Sequence, residues 1–329
     1  MSLLPDPSLP LDEGQADAAF ATLFDGTPPD AEIATFLTRL SDRGETAVEV
    51  AAAAKAMRAR MISVAAPDNA IDVCGTGGDG LHTLNVSTAV AIVVAACDVP
   101  VAKHGNRAAT SLAGGADTLE ALGLDLDRAM ATAEATLADL GICFLFAQKH
   151  HPALARFSPI RKAIGRRTIL NLLGPLTNPA SVRRQLVGIA RADYAPLYAE
   201  AMQRIGMTRA MIVSGEDGMD ELTLSAANRV TDLGDGAIRA YTLTPEEAGF
   251  TRYPAEAIRG GDASYNAAAL RRLLLGETGA YRDAVLFNAG AALVVAGAAR
   301  DLSSGIEEAA EAIDKGLANA LLNCWIAYR

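Results

Sequence analysis

The chain has 329 residues, a formal net charge of −10 and a sequence pI near 5.0, and half of its residues are hydrophobic. This length can bury a sizeable core in one large domain or in two. The acidic balance argues against nucleic-acid or membrane partners. The four cysteines lack metal-ligand spacing, and no secretory signal or membrane-spanning run is visible. We therefore expect reduced thiols and a cytoplasmic protein.

The N-terminal part predicts three amphipathic helices before any strand. Apolar residues recur at helical spacing from Glu13 to Leu23, from Asp30 to Leu40, and from a cap at Thr46 to about Met61. Turn-forming residues separate these segments. The helices predict a small helical unit whose apolar faces need a partner.

A glycine-rich stretch follows the first predicted strand, Ile71 to Cys74. Glycines from Gly75 to Gly80 can turn tightly without side chains that would keep a ligand away. The next helix is predicted over Ala89 to Cys97, with polar residues that can cap it just before. This strand, loop and helix start are typical of a phosphate site, although the spacing does not fit a dinucleotide fingerprint or a P-loop.

The remaining sequence alternates between predicted strands and helices, which indicates an α/β domain. A hinge-like turn region lies at 169–179, and helices rich in alanine run from Asn266 to Tyr328. Strands are predicted at 99–102, 142–146, 186–190, 210–213, 230–232 and near 240, and helices at 118–122, 126–140 and 192–205, with a further helical stretch from 153.

Polar residues follow two further predicted strands. Lys103 to Arg107 places cations and an amide where ligands bind in open α/β sheets. Asp220 and Glu221 form an acidic pair on a loop, and adjacent carboxylates suit Mg²⁺ that also contacts substrate phosphates. Solvated turns remain the alternative for each set. Together they favour chemistry on a phosphorylated sugar or nucleotide, without an enzyme nucleophile.

Motifs along most of the chain resemble the anthranilate phosphoribosyltransferase family, in order and without a large gap from about Asp12 onward. The N-terminal half contains residues 72–80 (DVCGTGGDG), 85–88 (NVST), 103–107 (KHGNR) and 116–123 (ADTLEALG). The second half contains 150–153 (HHPA), Arg161, 167–168 (RT), 173–180 (LGPLTNPA), 217–221 (DGMDE), 243–246 (LTPE) and 260–263 (GGDA).

This resemblance implies transfer of the phosphoribosyl group from phosphoribosyl pyrophosphate to anthranilate, with release of pyrophosphate, in tryptophan biosynthesis. It implies a small N-terminal helical domain plus a larger α/β domain with a mostly parallel central sheet and flanking helices, as in nucleoside phosphorylases and phosphoribosyltransferases. The helical domain would comprise residues 1–68, joined by about 153–180 near the hinge. The α/β domain would comprise 69–152 and 181–329. A homodimer through the helical domain is also implied.

The resemblance also assigns ligands to residues. Anthranilate would contact Gly75, Asn106, His151 and Arg161, whose guanidinium suits a carboxylate. Ser87, Asp220 and Glu221 would hold Mg²⁺, with two ions per monomer. Phosphoribosyl pyrophosphate would contact Gly75, Gly78, Asp79, Thr83, Asn85, Val86, Ser87, Thr88, Lys103, His104, Gly105, Asn106, Arg107, Ala108, Ala109, Thr110, Ser111 and Gly115.

Two rival functions are less consistent with the sequence. Pyrimidine nucleoside phosphorylases share the expected fold, but their glycine loop carries a Lys-x-Ser-Thr-Gly-Gly pattern that is absent here. A nucleic-acid-binding relative should show a basic face, whereas this chain is acidic.

Overall fold

The computed structural model describes residues 3–108 and 112–329. Its N-terminal part contains the three expected helices. Asp12 and Gln15 form a reciprocal capping box at the start of the first helix, and Thr46 and Glu49 form another at the third, as predicted for Thr46. The bounds are α1 Glu13–Phe24, α2 Asp30–Arg43 and α3 Ala47–Arg58.

Seven strands of the described chain form one sheet in the order β3-β2-β1-β4-β5-β6-β7. The first five are parallel, whereas β6 and β7 form an antiparallel hairpin at one edge. The expected mostly parallel sheet is confirmed, and its carboxyl edge gathers the loops after β1, β2 and β5. The strands are β1 Ile71–Gly75, β2 Val101–Gly105, β3 Ile142–Phe146, β4 Arg184–Gly188, β5 Arg209–Gly215, β6 Asn228–Gly234 and β7 Ala237–Leu243.

Helices pack on the sheet, and two of them differ from the expectation. The single helix predicted over 126–140 is wrong, because the chain leaves helical geometry at Thr132, whose hydroxyl donates to the Arg128 carbonyl at 2.9 Å. The helix predicted from Ala192 begins with a 3₁₀ turn. The helices are α4 Val86–Ala95, α5 Gly115–Leu122, α6 Leu126–Ala131, α7 Ala133–Leu140, α11 Ala195–Arg204, α12 Ala263–Leu274, α13 Ala280–Ala296, α14 Leu302–Asp314 and α15 Leu317–Ala327.

The segment between β3 and β4 packs in one hydrophobic core with α1–α3. Its Phe157 meets Phe24 of α1, with ring centroids 5.3 Å apart. The Val187 and Tyr198 side chains of the α/β part enter the same core, so this segment contacts both parts of the molecule. It contains α8 Ala147–His150, α9 Phe157–Ile164 and α10 Leu173–Leu176.

Side chains from four elements hold the carbonyls of the predicted hinge region. Every backbone oxygen from Leu172 to Leu176 has a side-chain partner: Leu173 O accepts from the nearby Thr177 hydroxyl at 2.8 Å, and the other four accept from distant side chains. The pairs are Tyr198 OH to Leu172 O at 2.9 Å, His104 Nδ1 to Gly174 O at 3.0 Å, Gln185 Nε2 to Pro175 O at 2.8 Å, and Arg58 Nε to Leu176 O at 2.6 Å. The proposed domain boundaries stay a prediction, but this turn is fastened to both predicted domains.

No described helix combines the length and the apolar character needed to cross a membrane.

Candidate active site

The glycine loop after β1 has a backbone that few other residues could adopt. Gly77, Gly78 and Gly80 have φ values of +68°, +79° and +76°, in the left-handed region that favours glycine. The Thr76 amide donates to the Gly188 carbonyl at 2.9 Å, which fixes the start of the loop beside β4. The loop therefore places a mainly bare backbone at the carboxyl edge of the sheet.

The acidic loop after β5 lies directly against this glycine loop. The Gly77 amide donates to Asp220 Oδ2 at 2.6 Å. A Cβ on Gly75 would overlap that same carboxylate, and a Cβ on Gly188 would overlap the Asp220 backbone. Glycine is required at 75 and 188 for this close approach. The structure thus joins two motifs that lie 143 residues apart in the sequence.

The polar residues before α4 act differently from the expectation. Asn85 occupies the N-cap position, but its side chain makes no capping bond, so the expected side-chain cap is wrong. Its amide donates to Ala113 O at 3.1 Å and accepts from Thr118 Oγ1 at 2.5 Å and Asn266 Nδ2 at 2.9 Å. Asn85 therefore crosslinks α4 to α5 and α12, a role that only long-range contacts reveal.

Lys103 and the residues at the start of α4 form one cluster. Lys103 is buried, and its ammonium donates to Val73 O at 2.8 Å and Ser87 Oγ at 3.3 Å. Burial lowers the pKa of the Lys103 ammonium, and the charge of Asp72 opposes that shift. A Cβ on Gly115 would lie 3.0 Å from Thr88 Oγ1, so Gly115 adjoins this cluster. Val86, also predicted to contact phosphoribosyl pyrophosphate, is buried.

Three carboxylates face one another beside the glycine loop. Burial, followed by the charge of Asp79, raises the pKa of Asp220 to about 6. Burial also raises the pKa of Glu221, and the charges of Asp220 and Asp79 add to that shift. Glu221 Oε1 accepts from the Ser87 amide at 3.2 Å, whereas Oε2 is buried with no hydrogen-bond partner in the described chain. Such crowded acids fit a divalent cation.

Protein ligands alone do not complete that cation site. Across residues 3–108 and 112–329, no group of three or more His, Cys, Asp and Glu side chains is arranged to hold a metal ion. Mg²⁺ in such sites is usually bound by only one or two carboxylates, and its other ligands are water molecules and substrate phosphates. The set of Ser87, Asp220 and Glu221 fits that mode of binding.

The residues at the end of β2 and directly after it divide between the core and the surface. Burial lowers the pKa of His104 to about 3 and of His151 to about 4, and their Nε2 atoms lie 3.3 Å apart. A Cβ on Gly105 would lie 2.6 Å from the Phe144 ring, so glycine is needed there. Asn106 is exposed, and its Oδ1 accepts from the Arg107 amide at 2.9 Å. His104 thus faces the hinge, whereas Asn106 remains accessible.

The next residues are held by α5. Arg107 pairs with Asp117 at 2.8 Å and with Glu120, and these bonds raise the pKa of the guanidinium. The Ala108 amide donates to the other Asp117 oxygen at 2.9 Å. Ala109, Thr110 and Ser111, also predicted to bind phosphoribosyl pyrophosphate, lie outside the described residues.

Two predicted residues lie on other segments. Thr83 forms an isolated antiparallel bridge with Arg259. Arg161 is exposed on α9, and no described carboxylate forms an ion pair with its guanidinium. The described contacts join His151 to His104, but they do not join Arg161 to Asn106 or His151. The anthranilate set is therefore only partly brought together by contacts within the chain.

Arg167 is a residue near the site to which the sequence assigns no role. Its guanidinium donates to the Gly77 carbonyl at 3.2 Å. It also lines a pocket between the two parts of the molecule, with Ser41 and Glu45 of the N-terminal part and Thr76 of the glycine loop. The only sequence signal was its place in the Arg167-Thr168 motif.

The sequence matches two parts of one enzyme family in the expected order. Residues 8–61 match the helical bundle domain of a glycosyl transferase family, and residues 67–319 match its a/b domain. An anthranilate phosphoribosyltransferase of Novosphingobium aromaticivorans is 67% identical over 327 residues, covering 99% of each chain. The chain belongs to the anthranilate phosphoribosyltransferase family.

Solved structures of family members support this membership and the expected fold. The anthranilate phosphoribosyltransferase of Thermus thermophilus has a TM-score of 0.94 at 42% identity, covering 99% of each chain. The Saccharomyces cerevisiae protein, in complex with phosphoribosyl pyrophosphate and Mg, has a TM-score of 0.86 at 28% identity, covering 96% of this chain and 93% of that one. The predicted enzyme class and two-part fold are confirmed, whereas the individual site residues stay predictions.

Proposed function

We propose that this chain transfers the phosphoribosyl group from phosphoribosyl pyrophosphate to anthranilate, in the tryptophan pathway. The bond from ribose C1 to the pyrophosphate oxygen breaks, and a bond from C1 to the anthranilate nitrogen forms. The amine then loses a proton, giving N-(5-phosphoribosyl)anthranilate and pyrophosphate. The contact between the glycine loop and Asp220 carries this proposal, because it brings backbone that can bind phosphate next to a carboxylate that can bind a cation.

The phosphoribosyl pyrophosphate site would lie between the glycine loop, the start of α4 and the end of β2. The backbone of Gly75 to Asp79 can approach phosphate closely, and Ser87 and Thr88 sit at the positive end of the α4 dipole. Lys103 supplies a buried positive charge beside Ser87. These local groups are needed because the whole chain carries a charge of −10.

Mg²⁺ would be held by Ser87, Asp220 and Glu221, with two ions per monomer. When bound, the ions neutralise charge that develops on the departing pyrophosphate. The orphaned Glu221 Oε2 and the raised pKa values of both acids support a cation at this position. The yeast relative in complex with phosphoribosyl pyrophosphate and Mg supports its identity.

Anthranilate would lie between Asn106, Arg161, His151 and Gly75. The Arg161 guanidinium has no described acid partner, so its fork is available for the anthranilate carboxylate. The Saccharomyces cerevisiae relative in complex with 4-fluoroanthranilate supports an aromatic carboxylate as the second ligand. The proposed reaction needs no covalent nucleophile, since orientation of two bound substrates and exclusion of water lower the barrier.

The proposal includes a homodimer through the helical domain and a cytoplasmic location. Light scattering after size exclusion should report twice the mass of 34.1 kDa. A mass of one chain would contradict the dimer without affecting the catalytic proposal.

A fluorescence assay tests the activity. Anthranilate fluorescence should fall when the purified chain meets phosphoribosyl pyrophosphate and millimolar Mg²⁺, because anthranilate is consumed. Controls without phosphoribosyl pyrophosphate, or with excess chelator, should keep the signal. A folded protein that leaves the fluorescence unchanged under the complete conditions would contradict the proposed function.

A further inference from the structure

Arg167 links the N-terminal part of the molecule to the glycine loop. Its Nη2 donates to the Gly77 carbonyl at 3.2 Å, and a Cβ on Gly78 would lie 3.1 Å from its Nη1. The hydroxyl of Ser41, on α2, donates to the Arg167 carbonyl at 3.3 Å. The Arg167 guanidinium thus lies against Gly77 and Gly78, while the Arg167 backbone is hydrogen-bonded to α2 of the N-terminal part.

Two contacts of Gly77 fix a stretch of backbone whose φ and ψ angles could otherwise change easily. Gly77 and Gly78 both have positive φ, and glycine also populates other regions at low cost. The Gly77 amide is held by Asp220 and its carbonyl is held by Arg167. In a trans peptide the Gly78 N–H points opposite to the Gly77 carbonyl. Holding that carbonyl toward Arg167 therefore turns the Gly78 N–H away from Arg167.

We propose that Arg167 is a positioning residue that orients the Gly77–Gly78 peptide for binding of the pyrophosphate group. The inference rests on the proposed function, since it concerns the phosphoribosyl pyrophosphate site of the same reaction. Arg167 acts through the loop backbone, so its loss weakens the binding of phosphoribosyl pyrophosphate more than the binding of anthranilate. The Ser41 contact makes the orientation depend on how the two parts of the molecule meet.

Arg166 provides a matched control for charge and location. It is the preceding residue, and its guanidinium pairs with Asp42 at 2.5 Å and donates to Thr38 O at 3.0 Å, both on α2. The described contacts of Arg166 do not include the glycine loop. Replacing it removes one arginine and its two contacts with α2, but leaves the Gly77 carbonyl contact in place.

The test compares Arg167→Ala, Arg167→Lys and Arg166→Ala by steady-state kinetics and calorimetric binding of phosphoribosyl pyrophosphate with Mg²⁺. Loss of one charge-assisted hydrogen bond should raise the KM and Kd for phosphoribosyl pyrophosphate about tenfold in Arg167→Ala, whereas the KM for anthranilate should change less than about twofold. Arg167→Lys should recover part of the loss, because a donor remains within similar reach. Added methylguanidine should partly rescue Arg167→Ala alone.

The outcomes separate this inference from the proposed function. If wild-type protein does not consume anthranilate, the proposed function fails. If wild-type protein is active but Arg167→Ala behaves like Arg166→Ala, the inference is overturned. Equal increases in both KM values, with no rescue by lysine or methylguanidine, would also overturn it, because a merely structural link would have that effect.

Discussion

At the scale of single residues, Asp220 and Glu221 are half-buried and close together, so their negative charges are unfavourable unless a cation binds there. Asp220 accepts a hydrogen bond from the Gly77 amide, and Asp79 lies nearby. Burial, followed by the charge of Asp79, raises the pKa of Asp220 to about 6. Between pH values of about 4 and 6, the folded protein therefore binds more protons at this group than the unfolded chain does. Its contribution to stability falls as the pH rises through this window.

Asp220→Asn should expose this pH dependence. The amide is nearly isosteric and its oxygen can still accept from Gly77, but the charge is removed. Without Mg²⁺, the melting temperature of the variant relative to wild type should increase between pH 5 and pH 7 by about 2–4 °C. Asp68→Asn, at an exposed position, serves as the control. A difference that is constant with pH, or that decreases as the pH rises, would contradict the charge argument.

The same residues show which roles a sequence can predict. The adjacent acids Asp220 and Glu221 predict a Mg²⁺ site from their residue type alone, and that role stays a prediction. The actual partners of Asn85, namely Ala113, Thr118 and Asn266, depend on how distant helices pack. The hydrogen bond from Arg167 to Gly77 joins residues 90 positions apart, and the sequence likewise gives no sign of it.

At the scale of elements, the fit between two loops is the decisive feature of the site. The strand, glycine loop and helix from Ile71 to Ala95 could be predicted, because glycine clusters and apolar runs are local signals. The break at Thr132 was missed, since a side-chain bond to the backbone competes with a pattern that remains helical. The docking of the acidic loop onto Gly75 and Gly188 was missed because it joins separate strands.

Gly75→Ala should test that fit. A methyl group at this position would overlap the Asp220 carboxylate, so the two loops must move apart. We expect turnover to fall by about 100-fold, since small misplacements of catalytic groups cost this much. Gly234→Ala is the matched control, because no atom lies within 4 Å of its added Cβ. Near-normal turnover in Gly75→Ala would mean that the loops need not touch during the reaction.

At the scale of the whole molecule, the connection between the two parts is a fastened turn. Besides the local Thr177 hydroxyl, the side chains that hold its carbonyls come from α3, β2, β4 and α11. The Gly and Pro residues of the sequence predict a turn there, but the donors on these four elements were not predictable because each is distant in the chain. Movement between the parts must therefore break these bonds or occur elsewhere.

Tyr198→Phe tests whether this turn is held as the contacts indicate. The ring is fully buried, and the change removes only the hydroxyl that donates to Leu172 O at 2.9 Å. Leaving that carbonyl without a partner should lower the free energy of unfolding by about 1–2 kcal/mol, and hydrogen exchange should become faster at 171–176. Tyr253→Phe, which removes a half-buried bond to Asp283 at 3.0 Å, should cost less than about 1 kcal/mol and leave that exchange unchanged. If both variants lose equal stability and exchange at 171–176 stays slow, the hydroxyl of Tyr198 does not hold the connection. The remaining three distant donors would then suffice to fix how the two parts meet.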